Sequence, residues 1–463
     1  MHKQQNHNKF LELRSKFPFF VYQSYRAERT KHSLKAEFTF NLSDKFVFHP
    51  RIEIPARNFY DFDKMGDPAI DLLVFHIGMV ELVSYWKATC SPNVKVVPHA
   101  LDEAQIEWWK KLYFNGLGEF FYLNGIETTQ EDFMMISATG TKISRANGAL
   151  NPESVLVPIG GGKDSIVSLE VLKNGTFDIK PFLLNPREAS LRTIDIGGFS
   201  ADESVIVNRF LDPKLIELNK SGFLNGHTPF SALLAFVSSL TAIASGSKYI
   251  ALSNENSANE STVPGLKINH QYSKSLEFED DFAWYVKHYI HPELYYFSFL
   301  RPLNELQIAA LFSNYPQHFY SFRSCNVGSK TDRWCGHCPK CLFTYIILSP
   351  FIPPDTLEKI FGKNLLDDLS LKPILDELDG HAAIKPFECV GTPQEVNASL
   401  WKAFHLPNAL RPALLNPNGM DNRENTFSEL LANWQSVHRV PDAFYWLIEQ
   451  ALNEKLKSIK KDD

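Results

Sequence analysis

Residues 35–42, Lys-Ala-Glu-Phe-Thr-Phe-Asn-Leu, alternate polar and apolar positions with a period of two, which predicts a half-buried strand. Lys45 to His49 offers its hairpin partner. Asp71 to Trp86 and Asp102 to Leu123 carry the wider spacing of helices, the second rich in Trp, Tyr and Phe. Residues 1–150 therefore read as an accessory α+β domain without evident chemistry of its own.

From residue 151 the pattern changes. Val155-Leu156-Val157-Pro158-Ile159 and Pro181-Phe182-Leu183-Leu184 are continuous apolar runs, as expected of strands buried on both faces. Between them, Ile166, Leu169 and Leu172 form one stripe of a helix from Asp164 to Lys173. A long apolar helix, Pro229 to Ala244, leads into a strand from Tyr249 to Ser253. Strands alternating with helices predict an α/β domain with a parallel sheet over 151–349, whose ligands should sit at the carboxyl ends of the strands. Prolines at 350, 353 and 354 mark a boundary, and 350–463 reads as a helical C-terminal region.

Composition narrows this picture only slightly. Over 463 residues, 44% hydrophobic and 22% charged positions are ordinary for a folded chain. With 47 Lys+Arg against 53 Asp+Glu the net charge is −6, so no global field favours nucleic acid. Phe17 to Tyr22 is too short and aromatic for a signal peptide. The sequence reads as having no run near the ~20 apolar residues of a membrane span, which makes the cytoplasm the expected location.

The first candidate for chemistry is Gly160-Gly161-Gly162-Lys163-Asp164-Ser165, between a strand and a helix. Glycines there let backbone N–H groups turn inward as an anion cradle at a helix start. Lys163 adds positive charge, Asp164 can cap the helix or hold Mg²⁺, and Ser165 offers a hydroxyl to a phosphate. The spacing fits neither Gly-x-x-x-x-Gly-Lys-Ser/Thr nor Gly-x-Gly-x-x-Gly. It resembles the Ser-Gly-Gly-x-Asp-Ser signature of the PP-loop ATP pyrophosphatase superfamily, with Gly160 in place of the usual Ser. The resemblance implies binding of ATP and Mg²⁺, α–β phosphate cleavage, AMP transfer to the substrate and release of pyrophosphate.

Cys325, Cys335, Cys338 and Cys341 follow the spacing C-x9-C-x2-C-x2-C. Four thiolates close a tetrahedral Zn²⁺ shell with no position left for catalysis, so a structural Zn²⁺ is expected; an Fe–S centre and reduced thiols are the alternatives. His337 reads as a bystander. A similar arrangement in the PP-loop enzyme 7-cyano-7-deazaguanine synthase makes an ATP-dependent amide- or nitrile-forming ligase one reading of the chain.

Further polar segments are more selective: Asn225-Gly226-His227-Thr228-Pro229, Asn254 to Glu260, Phe299 to Gln307, Ser324 to Gly328 and Lys385 to Thr392. Together these resemble the family of UDP-N-acetyl-α-D-muramoyl-L-alanyl-L-glutamate epimerases. That resemblance implies ATP-dependent inversion of the terminal L-glutamate of UDP-N-acetylmuramoyl-L-alanyl-L-glutamate in peptidoglycan precursor synthesis, functionally coupled to an L-glutamate-adding muramoyl ligase. Neither a nucleic-acid nor a membrane partner is expected, on the charge balance and the apolar runs given above. Gly160 to Ser165 are assigned to ATP and Mg²⁺, with Asp164 also counted as catalytic. Candidates for proton transfer are His227, Glu255, Glu260 and Cys389, although His227 also suits a helix cap, Glu255 and Glu260 a solvated loop, and Cys389 a small core residue. Arg301 and Arg323 are candidates to hold the substrate's carboxylates or pyrophosphate.

Overall fold

The computed structural model describes residues 2–60, 62–260, 262–263, 268–270, 272–405, 413–414 and 424–462. The chain divides into two compact units. The first comprises Met1–Leu156, Val205–Ile250 and Ile268–Tyr296; the second comprises Val157–Ser204, Ala251–Lys267 and Phe297–Asp463. The fold is mixed α/β.

In the first unit the strand Ser33–Leu42 buries Leu34, Ala36, Phe38, Phe40 and Leu42, the alternation of period two expected of it. It pairs antiparallel with Phe19–Arg29 on one edge, and with Phe46–Phe48 and Arg51–Pro55 on the other. Phe40 thus stands opposite both Tyr22 and Phe48. Asn93–Val96 and Met135–Ala138 continue the sheet in parallel beyond Phe19–Arg29, and Val205–Phe210 pairs antiparallel with Arg51–Pro55. The apolar run near residue 20, rejected as a signal peptide, is the start of a sheet strand.

The helix Asp67–Trp86 corrects one reading of the sequence. It is long and apolar enough to cross a membrane by length and composition, yet 89% of its apolar window is buried inside the protein. It packs against the strand Phe19–Arg29 and the helix Phe230–Ala244, as a core helix does. The stretch 102–123 is two helices, Glu103–Gly116 and Gly118–Leu123, rather than one. At the break, a Cβ on Gly116 would lie 2.7 Å from the Pro229 ring, so glycine lets that ring seat against the helix backbone.

In the second unit, strand ends stand in the order 297–298, 251–252, 157–158 and 178–184. Ile159 N–H donates to Phe182 O at 2.8 Å, and Phe299 N–H to Leu252 O at 2.7 Å. The pairing of Ser247–Leu252 with Asn151–Pro158, within the first unit, is parallel. Helices Lys163–Leu172, Glu305–Phe312 and Asp442–Asp462 pack together, as do Pro339–Leu348 and Pro393–Phe404. Three segments carrying candidate residues, 159–162, 253–260 and 299–304, leave the carboxyl ends of neighbouring strands.

Candidate functional site

The glycine turn follows the strand Asn151–Pro158, and the helix begins at Lys163 with Gly162 as its N-cap. Its three glycines are not equivalent. Gly161 has φ +83°, and a Cβ there would stand 2.7 Å from Ser190 N and 2.8 Å from the Ala189 carbonyl carbon. Both backbone angle and space demand glycine. A Cβ on Gly162 would come close to the end of the Ser324 side chain, at 2.9 Å, with the Arg323 carbonyl in ordinary contact at 3.8 Å, and one on Gly160 would meet nothing within 4 Å. A serine therefore fits at 160, and its absence follows from no steric requirement. Ser165 Oγ accepts from Gly161 N–H at 3.2 Å and donates to Gly162 O at 3.0 Å, tying the turn to the helix.

Lys163 is buried and ion-paired with both Asp164 and Glu305. Burial works to lower its ammonium pKa, but the two carboxylates outweigh it and hold the group above its ordinary value. Glu305 is fixed from behind: its N–H donates to Glu395 Oε1 at 2.7 Å, while Thr392 N–H donates to Glu395 Oε2 at 2.6 Å. Burial raises the Glu395 carboxyl. Gly391 closes this corner, since a Cβ on it would lie 2.7 Å from Glu395 Oε2 and 3.1 Å from Glu305 Cγ.

Glu255 adds a further buried carboxylate to the electrostatic surroundings of Glu305. It accepts from Ser257 Oγ at 2.9 Å. Arg301, fully buried, donates to the Glu255 carbonyl through Nη1 and to Ser298 Oγ through Nη2 at 3.2 Å, bracing the loop that carries Glu255. Arg323 N–H donates to Gly161 O at 2.8 Å, whereas its guanidinium meets the carbonyls of Tyr320, Phe322 and Asp332 at 2.7–3.2 Å. Glu260 is exposed and paired with Lys385 at 2.8 Å. Cys389 is half-buried, next to Glu388, which accepts from Asn326 Nδ2 at 2.6 Å. Glu305, Glu255 and Glu395 thus gather behind Lys163, and Arg323 holds the turn at Gly161.

The four cysteines also converge, with no disulfide among them. Sulfur separations are 3.5 Å for Cys338–Cys341, 3.6 Å for Cys335–Cys341 and 3.8 Å for Cys325–Cys338. A tetrahedron with metal–sulfur bonds of ~2.3 Å has edges of roughly 3.8 Å, so the set fits a four-thiolate metal centre. Backbone N–H groups of Gly328 and Gly336 donate to Cys325 and Cys341 at 3.1 and 3.4 Å. His337 is exposed, its Nδ1 2.8 Å from Cys335 O.

His227 belongs to the first unit, beside Glu119 and His270. Burial, then His270, pushes its imidazole down to about 4. Sequence reasoning missed Glu119, His270, Glu305 and Glu395. A signal existed for Glu395 in Thr392-x-x-Glu395, a capping-box spacing that the structure realises.

These positions define a mixed α/β protein with a glycine turn at the carboxyl ends of its strands, a buried acidic corner and a cluster of four cysteines. Residues 12–299 match the MurL N-terminal domain and residues 321–422 the MurL C-terminal domain. The chain is 36% identical to the UDP-N-acetyl-α-D-muramoyl-L-alanyl-L-glutamate epimerase of Xanthomonas oryzae pv. oryzae, over 69% of this chain and 71% of that protein. It is 36% identical to the protein of the same name from a Micromonospora species, over 71% and 76%, and 34% identical to that of Salinispora tropica, over 68% and 69%. No solved structure matches the chain significantly. The chain belongs to the MurL family of UDP-N-acetyl-α-D-muramoyl-L-alanyl-L-glutamate epimerases.

Proposed function

We propose that this protein inverts the terminal L-glutamate of UDP-N-acetylmuramoyl-L-alanyl-L-glutamate to D-glutamate, consuming ATP and releasing AMP and pyrophosphate, in peptidoglycan precursor synthesis. A ligase that adds L-glutamate to the muramoyl precursor would supply the substrate. The relatives' shared name supports substrate and inversion. Use of ATP, and a core of the PP-loop type, rest chiefly on one observation: Gly161 at φ +83° with no room for a side chain, in a turn that opens a helix at a strand's carboxyl end.

Activation answers a chemical problem. A free α-carboxylate makes the neighbouring Cα–H a very weak acid, because its removal sets a second negative charge beside the first. Attack of that carboxylate on the α-phosphorus of ATP breaks the bond to the β-phosphate, and pyrophosphate leaves. The resulting mixed anhydride carries no charge on its acyl group. A side-chain base then removes the Cα proton, protonation from the opposite face inverts the centre, and water attacks the acyl carbon to return the carboxylate and free AMP.

Asp164, in the first turn of the helix that the glycine turn opens, would offer a hard oxygen donor to Mg²⁺, and the ion would supply charge neutralisation at the phosphates. Asp164 engages Lys163 through Oδ1, leaving Oδ2 outside that ion pair. Glu255 is the buried carboxylate among the candidate bases of the second unit, whereas Glu260 is exposed and ion-paired. Arg301 acts as a positioning residue for Glu255. The four cysteines would hold a structural Zn²⁺.

The test is incubation with ATP, Mg²⁺ and the muramoyl dipeptide in D₂O. D-Glutamate, deuterium at Cα and AMP should appear together. AMP without deuterium at Cα would point to another acyl-adenylating enzyme, and inversion without AMP would refute the role of ATP.

A further inference from the structure

Glu119, His227 and His270 form a cluster in the first unit that the proposed reaction does not require. Glu119 lies in the first turn of the helix Gly118–Leu123. His227 Nδ1 stands 3.4 Å and His270 Nδ1 2.5 Å from the same oxygen, Glu119 Oε2. The two imidazole rings are 4.8 Å apart, and the three ligand atoms all lie within 4.8 Å of one another.

The loop carrying His227 is held against the Glu119 helix from several directions. Asn124 Nδ2 donates to Asn225 O at 3.2 Å, and Lys87 Nζ donates to Gly226 O. Gly226 lies against Phe120, where an added Cβ would stand 3.0 Å from the ring, and Gly116 admits Pro229 just beyond. These contacts fix the approach of a donor from the loop to a donor on the helix, as the supports of metal ligands do.

We propose that Glu119, His227 and His270 bind a divalent cation of borderline softness, of the zinc class, with one coordination position left for an anionic oxygen ligand. Two imidazoles and one carboxylate are a three-ligand zinc set that leaves a position open. Bonds of ~2.0–2.1 Å give tetrahedral edges of roughly 3.4 Å, which is the His227–Glu119 separation; the His270–Glu119 contact would open on binding. The side chains are 28%, 12% and 12% exposed for His227, Glu119 and His270, so an outer ligand has access. Lys87 and Lys274 are the neighbouring cations of His227 and, with the ion, favour a carboxylate or hydroxide at the open position. His227 is thereby a ligand rather than a base at Cα.

Metal content of the full-length protein after Zn²⁺ loading and desalting tests this. Two ions per chain are expected, with X-ray absorption showing both a sulfur shell near 2.3 Å and a nitrogen/oxygen shell at about 2.0–2.1 Å. His270→Ala and Glu119→Gln should each reduce the count to one and leave only the sulfur shell. His270→Cys, which restores a zinc donor, should recover the second ion and guards against loss through misfolding. A single ion with a pure sulfur shell in the unaltered protein would overturn the proposal, as would a second ion indifferent to both His270→Ala and Glu119→Gln.

Discussion

Lys163 and Glu305, 142 residues apart in sequence, form an ion pair whose side chains are 4% and 5% exposed. Removing one partner from a buried pair strands the other charge, at a cost of about 3–5 kcal/mol. Asp164 would remain beside Lys163 and soften that loss. Glu305→Ala should therefore lower urea-unfolding stability by about 3 kcal/mol, while Glu305→Gln, which keeps volume and an acceptor oxygen, should lose much less. Both should slow AMP formation on the order of tenfold or more, since they release a charge held beside the glycine turn. AMP formation at the normal rate in Glu305→Gln would show that the carboxylate serves stability only.

The glycine turn predicts a contrast between adjacent positions. Gly160→Ser places a side chain where nothing lies within 4 Å, so stability should change by about 0.5 kcal/mol or less and AMP release should persist. Gly161→Ala forces a Cβ toward Ser190 N and Ala189 at φ +83°, with a cost of roughly 1–2 kcal/mol for the angle alone and more for the collision. Pyrophosphate release should fall sharply. Equal behaviour of the two variants, read by denaturation and pyrophosphate assay, would contradict this account of the turn.

What was legible in the sequence was local. The period of two in 35–42 and the stripe of Ile166, Leu169 and Leu172 appear as a strand and a helix within a few residues of expectation. The spacing of the cysteines was enough to group them, because ligands on one short segment need little long-range folding. Glu305 and Lys163, or Glu119 and His270, meet only through tertiary packing across 142 and 151 residues, which no local period encodes. The break near Leu117 escaped for the same reason: the need for Gly116 is set by Pro229, more than a hundred residues away. Gly160 is the reverse case, a departure from the usual motif that proves sterically free.

The thiolate centre should behave as a folding element. Cys338 Sγ lies 3.8 Å from that of Cys325 and 3.5 Å from that of Cys341, so Cys338→Ser removes one of the four donors of the set. Metal binding to such a site is coupled to folding free energy. The variant should lose thiolate-bound zinc and melt at lower temperature, and a chelator should lower the melting temperature of the unaltered protein. Retention of a full sulfur shell in Cys338→Ser would refute the four-thiolate assignment.

A buried histidine of the first unit should shape acid stability. Tyr285 Oη is contacted by Gln105 Nε2 at 3.1 Å and Trp109 Nε1 at 3.0 Å, both donors, so its own proton goes to His76 Nε2 at 3.0 Å. His76 then carries its proton on Nδ1 and donates to Leu72 O at 2.7 Å. Burial favours this neutral form and pushes the group down to about 4, from about 6.5 when unfolded. Between those values the unfolded chain binds more protons than the folded one, so this contribution is complete above about pH 6.5 and is lost as the pH falls to about 4. Its full size is on the order of 3 kcal/mol. His76→Gln retains a donor and an acceptor without the titration, so its unfolding free energy should decline less steeply than that of the unaltered protein over this window. Parallel pH profiles in urea denaturation would show that His76 does not govern the acid limb.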